Sequence, residues 1–124
     1  MNRPAYDADN PFAKILRGEI PCKKVHETEH ALAFHDIRPQ APVHVLVIPK
    51  GAYVDMDDFT RHAGDAEIVG FFRAIGETAR KLGVVGAGYR VLSNLGADAR
   101  QEVFHLHVHI FAGRDLGGMI RRPD

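Results

Sequence analysis

The run His105-Leu106-His107-Val108-His109 puts three imidazoles at alternate positions of one short stretch. Residues two apart on a β-strand share a face, so an extended 103–111 sets His105, His107 and His109 on one side. Phe104, Leu106, Val108 and Ile110 then line the other side. One face is expected to be core and the other chemistry. Histidine seldom belongs to the fully buried set, and three core imidazoles at strict alternation would be a coincidence. A neutral imidazole offers a lone pair, which can ligate a metal or attack an electrophile, and an N–H that can donate to an anion.

Spacing separates the two uses of the lone pair. Consecutive same-face residues lie about 6.6 Å apart along a strand, so the outer pair is ~13 Å apart. Two nitrogens on one zinc ion stand only about 3–4 Å from each other. All three histidines therefore cannot bind one ion without a strong bend. A two-histidine site with a third ligand from elsewhere stays open, although no Cys-x-x-Cys or His-Glu-x-x-His accompanies it. The reading adopted is a nucleophile: His107, at the centre, attacks phosphorus while its neighbours hold its tautomer and hydrogen-bond the charged oxygens, with no metal and no cofactor. Asn94 and Gln101, expected near one end of a hairpin, could help clamp those oxygens. By type alone, both are equally ordinary turn residues. His44, on one strand face with Leu46 and Ile48, is either a half-buried structural histidine or part of the same site.

The elements that must carry these residues fit one domain. A chain of 124 residues can bury roughly two-thirds of its unfolded surface. With 45% hydrophobic and 26% charged residues, it has the make-up of an ordinary globular protein. Sixteen Lys and Arg balance sixteen Asp and Glu, which excludes the broad positive field needed to grip a nucleic-acid backbone or an anionic membrane; any phosphate site must be local. Arg121-Arg122 is too short for a basic arm. Cys22 is the single cysteine and has no disulfide or zinc-knuckle partner, as expected of a protein in a reducing cytosol. No apolar run approaches the ~18 residues of a membrane span or the h-region of a secretory signal. A cytoplasmic protein is expected.

Asn10-Pro11 has the chemistry of a helix start, followed by Phe12, Ile15 and Leu16 and stopped by Gly18. Strands are expected at 23–27, 31–36, 43–48, 89–94 and 103–111, with Glu29-His30 near a turn and Pro42 and Pro49 bracketing the third. One long helix spans 65–82, carrying Ile68, Phe71, Phe72, Ile75, Ala79 and Leu82 at three- and four-residue steps and ending at Gly83. Gly70 and Gly76 weaken it by about 1 kcal/mol each against alanine, so packing must hold it. The expected architecture is α+β: an antiparallel sheet of about five strands with one long and one short helix.

Taken together these residues resemble the histidine triad family, whose mark is His-φ-His-φ-His-φ-φ with φ apolar, here His105 through Phe111 without exception. Phe12-Ala13-Lys14-Ile15, Ile20-Pro21, Ala33-Phe34-His35-Asp36-Ile37, Pro39-Gln40-Ala41-Pro42-Val43-His44, Val47-Ile48-Pro49-Lys50, Gly88-Tyr89-Arg90 and Gln101-Glu102-Val103-Phe104 extend the likeness to its nucleotide-binding branch. The resemblance implies one such domain over 1–124, with an N-terminal extension at 1–9 and a tail at 114–124 that touches the partner protomer. It further implies a homodimer that hydrolyses purine nucleoside phosphoramidates, such as aminoacyl or lysyl adenylates. In that scheme His107 takes the nucleotidyl group, His44 and His105 set its tautomer, and His109 contacts the phosphate or leaving group. Asn94, Gln101 and the Val103 backbone match phosphate contacts, Asp36 the ribose contact, and Phe12, Ile15, Phe34 and Ile37 the walls around the base; spacing alone would make those four plain core. Two rival functions stand beside it: hydrolysis or phosphorolysis of dinucleoside polyphosphates, and nucleotide binding by a regulatory protein whose activity is incidental. The chain departs from the family at Ala99-Arg100, where a Gly-Gly pair is usual. The phosphate loop is therefore expected to be shaped differently, with Arg100 able to reach the anion. It departs again at Glu102, a carboxylate that would repel a phosphate unless it points away or acts on the leaving group.

Overall fold

The computed structural model describes residues 4–121 and 123; the first three residues of the N-terminal extension, and Arg122 and Asp124 of the tail, lie outside the described residues. Helix α1 (Pro11–Leu16) starts as expected. The Asn10 side chain accepts from the Ala13 N–H at 2.9 Å, Pro11 sits where no donor is needed, and Gly18 turns the chain at φ +77°. Five strands follow in an antiparallel sheet: β1 (Lys24–Glu27), β2 (Ala31–His35), β3 (Val43–Pro49), β4 (Arg90–Leu92) and β5 (Val108–Ala112), in the order β1-β2-β3-β5-β4. Strand β3 is central and buried over nearly its whole length, because both of its faces are covered.

On one face lies helix α3 (Asp65–Leu82), which buries Phe71, Ala74, Ile75, Thr78 and Ala79 against the sheet. Ala31, Ala33, Val45, Val47, Val108 and Ile110 meet it from the strands. Gly83 closes the helix at φ +72° with its N–H on the Ala79 and Arg80 carbonyls, the C-terminal geometry its position predicted. Phe72 does not join this core; it is half exposed. The cost of Gly70 has a steric reason. The His30 ring crosses so near that a Cβ at residue 70 would stand 2.4 Å from its Cδ2.

A third helix, α2 (Met56–His62), was not anticipated. Asp55 caps it by accepting from Asp58 N–H at 2.8 Å, and its one buried residue, Phe59, sits edge-on to both Tyr53 and Phe71. A seven-residue helix with a single apolar anchor leaves no periodicity to read. On the opposite face α1 covers only the β2–β3 half of the sheet, through Leu32, Phe34, Leu46 and Ile48. The half carrying β5 and β4 stays open there, and that opening is where the histidines emerge.

The histidine strand is shorter than its alternation predicted. Burial alternates faithfully over 108–112, but residues 103–107 bend away from the sheet. Leu106 N–H donates to the Tyr53 carbonyl at 2.7 Å and His105 Nε2–H to the Pro49 carbonyl at 2.9 Å, while Gln101 Nε2, just ahead of them, donates to the Val54 carbonyl at 2.8 Å. Pro49 ends β3 with no N–H to offer a further ladder bond, so pairing between β3 and β5 stops at Val47 and Val108. Strand β4 is likewise shorter than the expected 89–94. Beyond it, Ser93 Oγ rather than its backbone reaches the His107 carbonyl at 2.9 Å.

Candidate active site

The bend gives each histidine a different environment. His105 is fully buried. Its Nε2–H donates to the Pro49 carbonyl at 2.9 Å, and its Nδ1 accepts from the Tyr6 hydroxyl at 2.7 Å, so both ring nitrogens are engaged. Burial, before any other cause, pushes its pKa down to about 4. Tyr6 escaped sequence reading because its partner is 99 residues away and nothing in its own segment signals the contact. A Tyr6→Phe variant removes a donor from a buried acceptor, and we expect it to lower unfolding free energy by about 1 kcal/mol in urea titration; an unchanged midpoint would refute that bond.

His107 turns its Nδ1 onto the carbonyl of His105 at 2.8 Å. A carbonyl can only accept, so Nδ1 carries the proton and Nε2 keeps the lone pair. Among the described residues nothing bonds Nε2. Burial lowers the pKa of this ring as well, against the opposing pull of the His105 carbonyl, Asp36 and Glu102. The lone pair is therefore available at neutral pH.

His109 and His44 form a second pair, fixed from behind. The Gln40 backbone N–H donates to His44 Nδ1 at 3.1 Å, which forces the His44 proton to Nε2. That N–H points at His109 Nδ1, 2.9 Å away, with Asp36 Oδ2 at 3.5 Å beside it. His109 must then carry its own proton on Nε2. Burial, with His107 and His44 adding to it, takes the His109 pKa down to about 4, so it meets a ligand as a neutral donor. Burial also lowers His44, though Asp36 opposes the shift. The contact implied between His44 and His107 is thus replaced by one between His44 and His109, and His107 owes its tautomer to a backbone carbonyl.

Asp36, His44 and His109 are the one grouping of metal-ligand types among the described residues, with candidate atoms within 4.8 Å of one another. The hydrogen bonds argue against an ion there. To ligate through Nε2, His44 would have to move its proton to Nδ1, where it would face the Gln40 N–H. The chain's own protons fill the place an ion would take.

His107 and His109 open into a hollow of about 580 Å³. Phe12, Ile15, Phe34, Asp36, Ile37 and Val103 all line it, as does Glu102. Phe34 is its buried floor, Phe12 stands edge-on to His107 with ring centres 5.0 Å apart, and Ile37 is an exposed lip at 91% exposure. Asn94 lies on the other side of His109, in a hollow of about 300 Å³ with Arg90 and Arg114. Gln101 does not line either hollow. Its amide bonds the Val54 and Val103 carbonyls and the Gly96 N–H, so it braces the loop instead of facing a ligand.

The arrangement sets an unprotonated imidazole nitrogen and a neutral N–H donor beside an apolar slot that carries two carboxylates, Asp36 and Glu102. The model of the HIT domain matches residues 17–116. A HIT-like protein of Azospirillum brasilense is 71% identical over 117 residues, covering 94% of this chain and 96% of the relative. Among solved structures, a histidine triad protein from Clostridium difficile is 40% identical at a TM-score of 0.80, covering 97% of this chain and all of its own. A HIT family hydrolase from Clostridium thermocellum is 35% identical at 0.79, covering 91% and 97%. This chain belongs to the HIT domain family.

Proposed function

We propose that the protein is a nucleoside phosphoramidate hydrolase acting through a nucleotidyl-histidine intermediate on His107. The observation that carries this reading is the bond from His107 Nδ1–H to the His105 carbonyl, which leaves an unprotonated Nε2 at the wall of the hollow. The base would lie between Phe12, Ile15 and Ile37, with Asp36 accepting from the ribose hydroxyls. Nε2 attacks the α-phosphorus and the bond to the leaving group breaks: in a phosphoramidate the P–N bond, whose amine leaves with that electron pair and takes a proton from solvent, and in an aminoacyl adenylate the P–O bond, whose oxygen leaves as a carboxylate. Water then adds to phosphorus, the N–P bond to His107 breaks, and the nucleoside monophosphate departs. The His109 Nε2–H donates to the non-bridging oxygens as charge builds on them.

The substrates are purine nucleoside phosphoramidates or aminoacyl and lysyl adenylates, turned over without metal or cofactor by a cytoplasmic homodimer. No helix of the described residues is long and apolar enough to cross a membrane, and the balanced charge gives no hold for nucleic acid. Mass spectrometry of an acid-quenched reaction with an adenosine phosphoramidate should reveal protein heavier by one adenylyl group, and release of adenosine monophosphate. Absence of both would overturn the reading.

One observation favours a second substrate class. The hollow beyond His109 carries Arg90, Arg114 and Asn94 and no carboxylate, which suits the anionic leaving group of a dinucleoside polyphosphate. Specificity constants measured side by side on the two substrates decide between them.

A further inference from the structure

We infer that Arg100 is an anion contact of this site, its guanidinium meeting the phosphoryl or leaving-group oxygens of a nucleotide held against His107. The inference rests on the nucleotide reading and adds to it a residue that the histidine motif does not contain.

Three observations converge on Arg100. Its loop is clipped at the base: Gln101 N–H donates to the Gly96 carbonyl and Gly96 N–H to Gln101 Oε1, each at 3.0 Å, while Arg100 N–H closes on the Ala97 carbonyl. From this braced loop the chain runs back to Asn94, beside His109, and forward to Glu102 and Val103, beside His107. The loop that carries Arg100 is therefore bracketed by residues of both hollows.

Its backbone is the second. Arg100 has φ +58°, the one positive value among described residues other than glycine. A residue with a Cβ is strained in that conformation, which glycine adopts freely, so its side chain is retained at a cost. Strain of this kind concentrates at ligand clamps and active sites.

Charge is the third. The hollow at His107 is lined by Asp36 and Glu102 against Arg38, and His107 and His109 are neutral near pH 7, so a phosphate entering it meets two carboxylates and one guanidinium. Arg100 is exposed, and among the described residues its side chain makes neither a hydrogen bond nor an ion pair, although Asp98 and Glu102 are each two residues away. A free guanidinium on this loop can offset the carboxylates and grip phosphoryl oxygens through paired donors.

The test uses Arg100→Gly, which keeps the backbone conformation and removes the side chain, with Arg100→Lys as the conservative control. Calorimetry with adenosine monophosphate should show R100G binding about tenfold more weakly or worse. Its kcat/KM on an adenosine phosphoramidate should fall in step and depend less steeply on salt, while its melting temperature stays at or above that of the parent. R100K should recover part of the affinity. Unchanged affinity and kcat/KM in R100G would overturn the contact. So would a joint fall in melting temperature and affinity that R100K does not repair, which would make the residue a shaper of the loop. A parent protein that neither binds adenosine monophosphate nor cleaves the phosphoramidate overturns the nucleotide reading, and this contact with it. Binding without cleavage leaves the calorimetric comparison intact and overturns only the hydrolase assignment.

Discussion

His107→Gly is expected to lower kcat on an adenosine phosphoramidate by roughly 10⁴- to 10⁶-fold, the scale on which nucleophile deletions act. The size follows from the lack of a substitute. His105 is sealed beneath Tyr6 and has both nitrogens bonded. His109 accepts on Nδ1 from His44 and so carries a proton on the nitrogen facing the ligand. Of the three strand histidines, only His107 presents a lone pair to the hollow. The proposed base slot of Phe12, Ile15 and Ile37 is untouched by the change, so the affinity for adenosine monophosphate should move far less than kcat. The quenched reaction should also lose its adenylylated protein. Turnover within tenfold of the parent would show that phosphorus is attacked by something other than His107.

That prediction could be framed from sequence because alternation and residue type singled out His107 as the proposed nucleophile, but its geometric support could not. Helix α3 was legible because its apolar residues recur along eighteen positions up to a terminal glycine, and α1 because Asn10-Pro11 is a cap written in two residues. Strand β5 was legible only where its partners are strands. Ahead of it Gln101, His105 and Leu106 bond to residues 49–54, some fifty positions upstream, and no local pattern records such a bond. The same limit explains His44. Its face on β3 could be read from the alternation with Leu46 and Ile48, whereas its partner depended on which strand lies next to β3, and sheet order is not a local property. The walls of the hollow show the converse. Phe34 is core and slot at once, and Ile37 is so exposed that no burial pattern could have marked it.

Acid should destabilise this protein over a window set by its active-site histidines. His105 and His109 fall from the ordinary 6.5 to about 4, chiefly through burial, and burial lowers His107 and His44 too. Between those values an unfolded chain binds protons that the folded chain refuses. Since stability rises with pH wherever the unfolded state holds more protons, it must fall as pH drops from about 6.5 to about 4. For fully buried His105 the shift corresponds to about 3 kcal/mol, a sizeable share of the 5–15 kcal/mol typical of a domain. His109 is partly exposed and contributes less. Carboxylates act lower: Glu27, held down to about 2 first by its bonds to Lys24 and Lys50, loses its contribution only as pH falls from about 4.5 toward that value. Urea midpoints at pH 7.5 and 4.5 should therefore differ by several kcal/mol in unfolding free energy. His105→Gln should start less stable at pH 7.5 yet lose less on acidification, because the group that refuses the proton is gone. A flat profile between pH 7.5 and 4.5 would contradict the neutral, buried state on which the nucleophile depends. The acid limb of kcat/KM reports the same physics at His107: its depressed pKa keeps Nε2 unprotonated, so the limb must lie below pH 6.5.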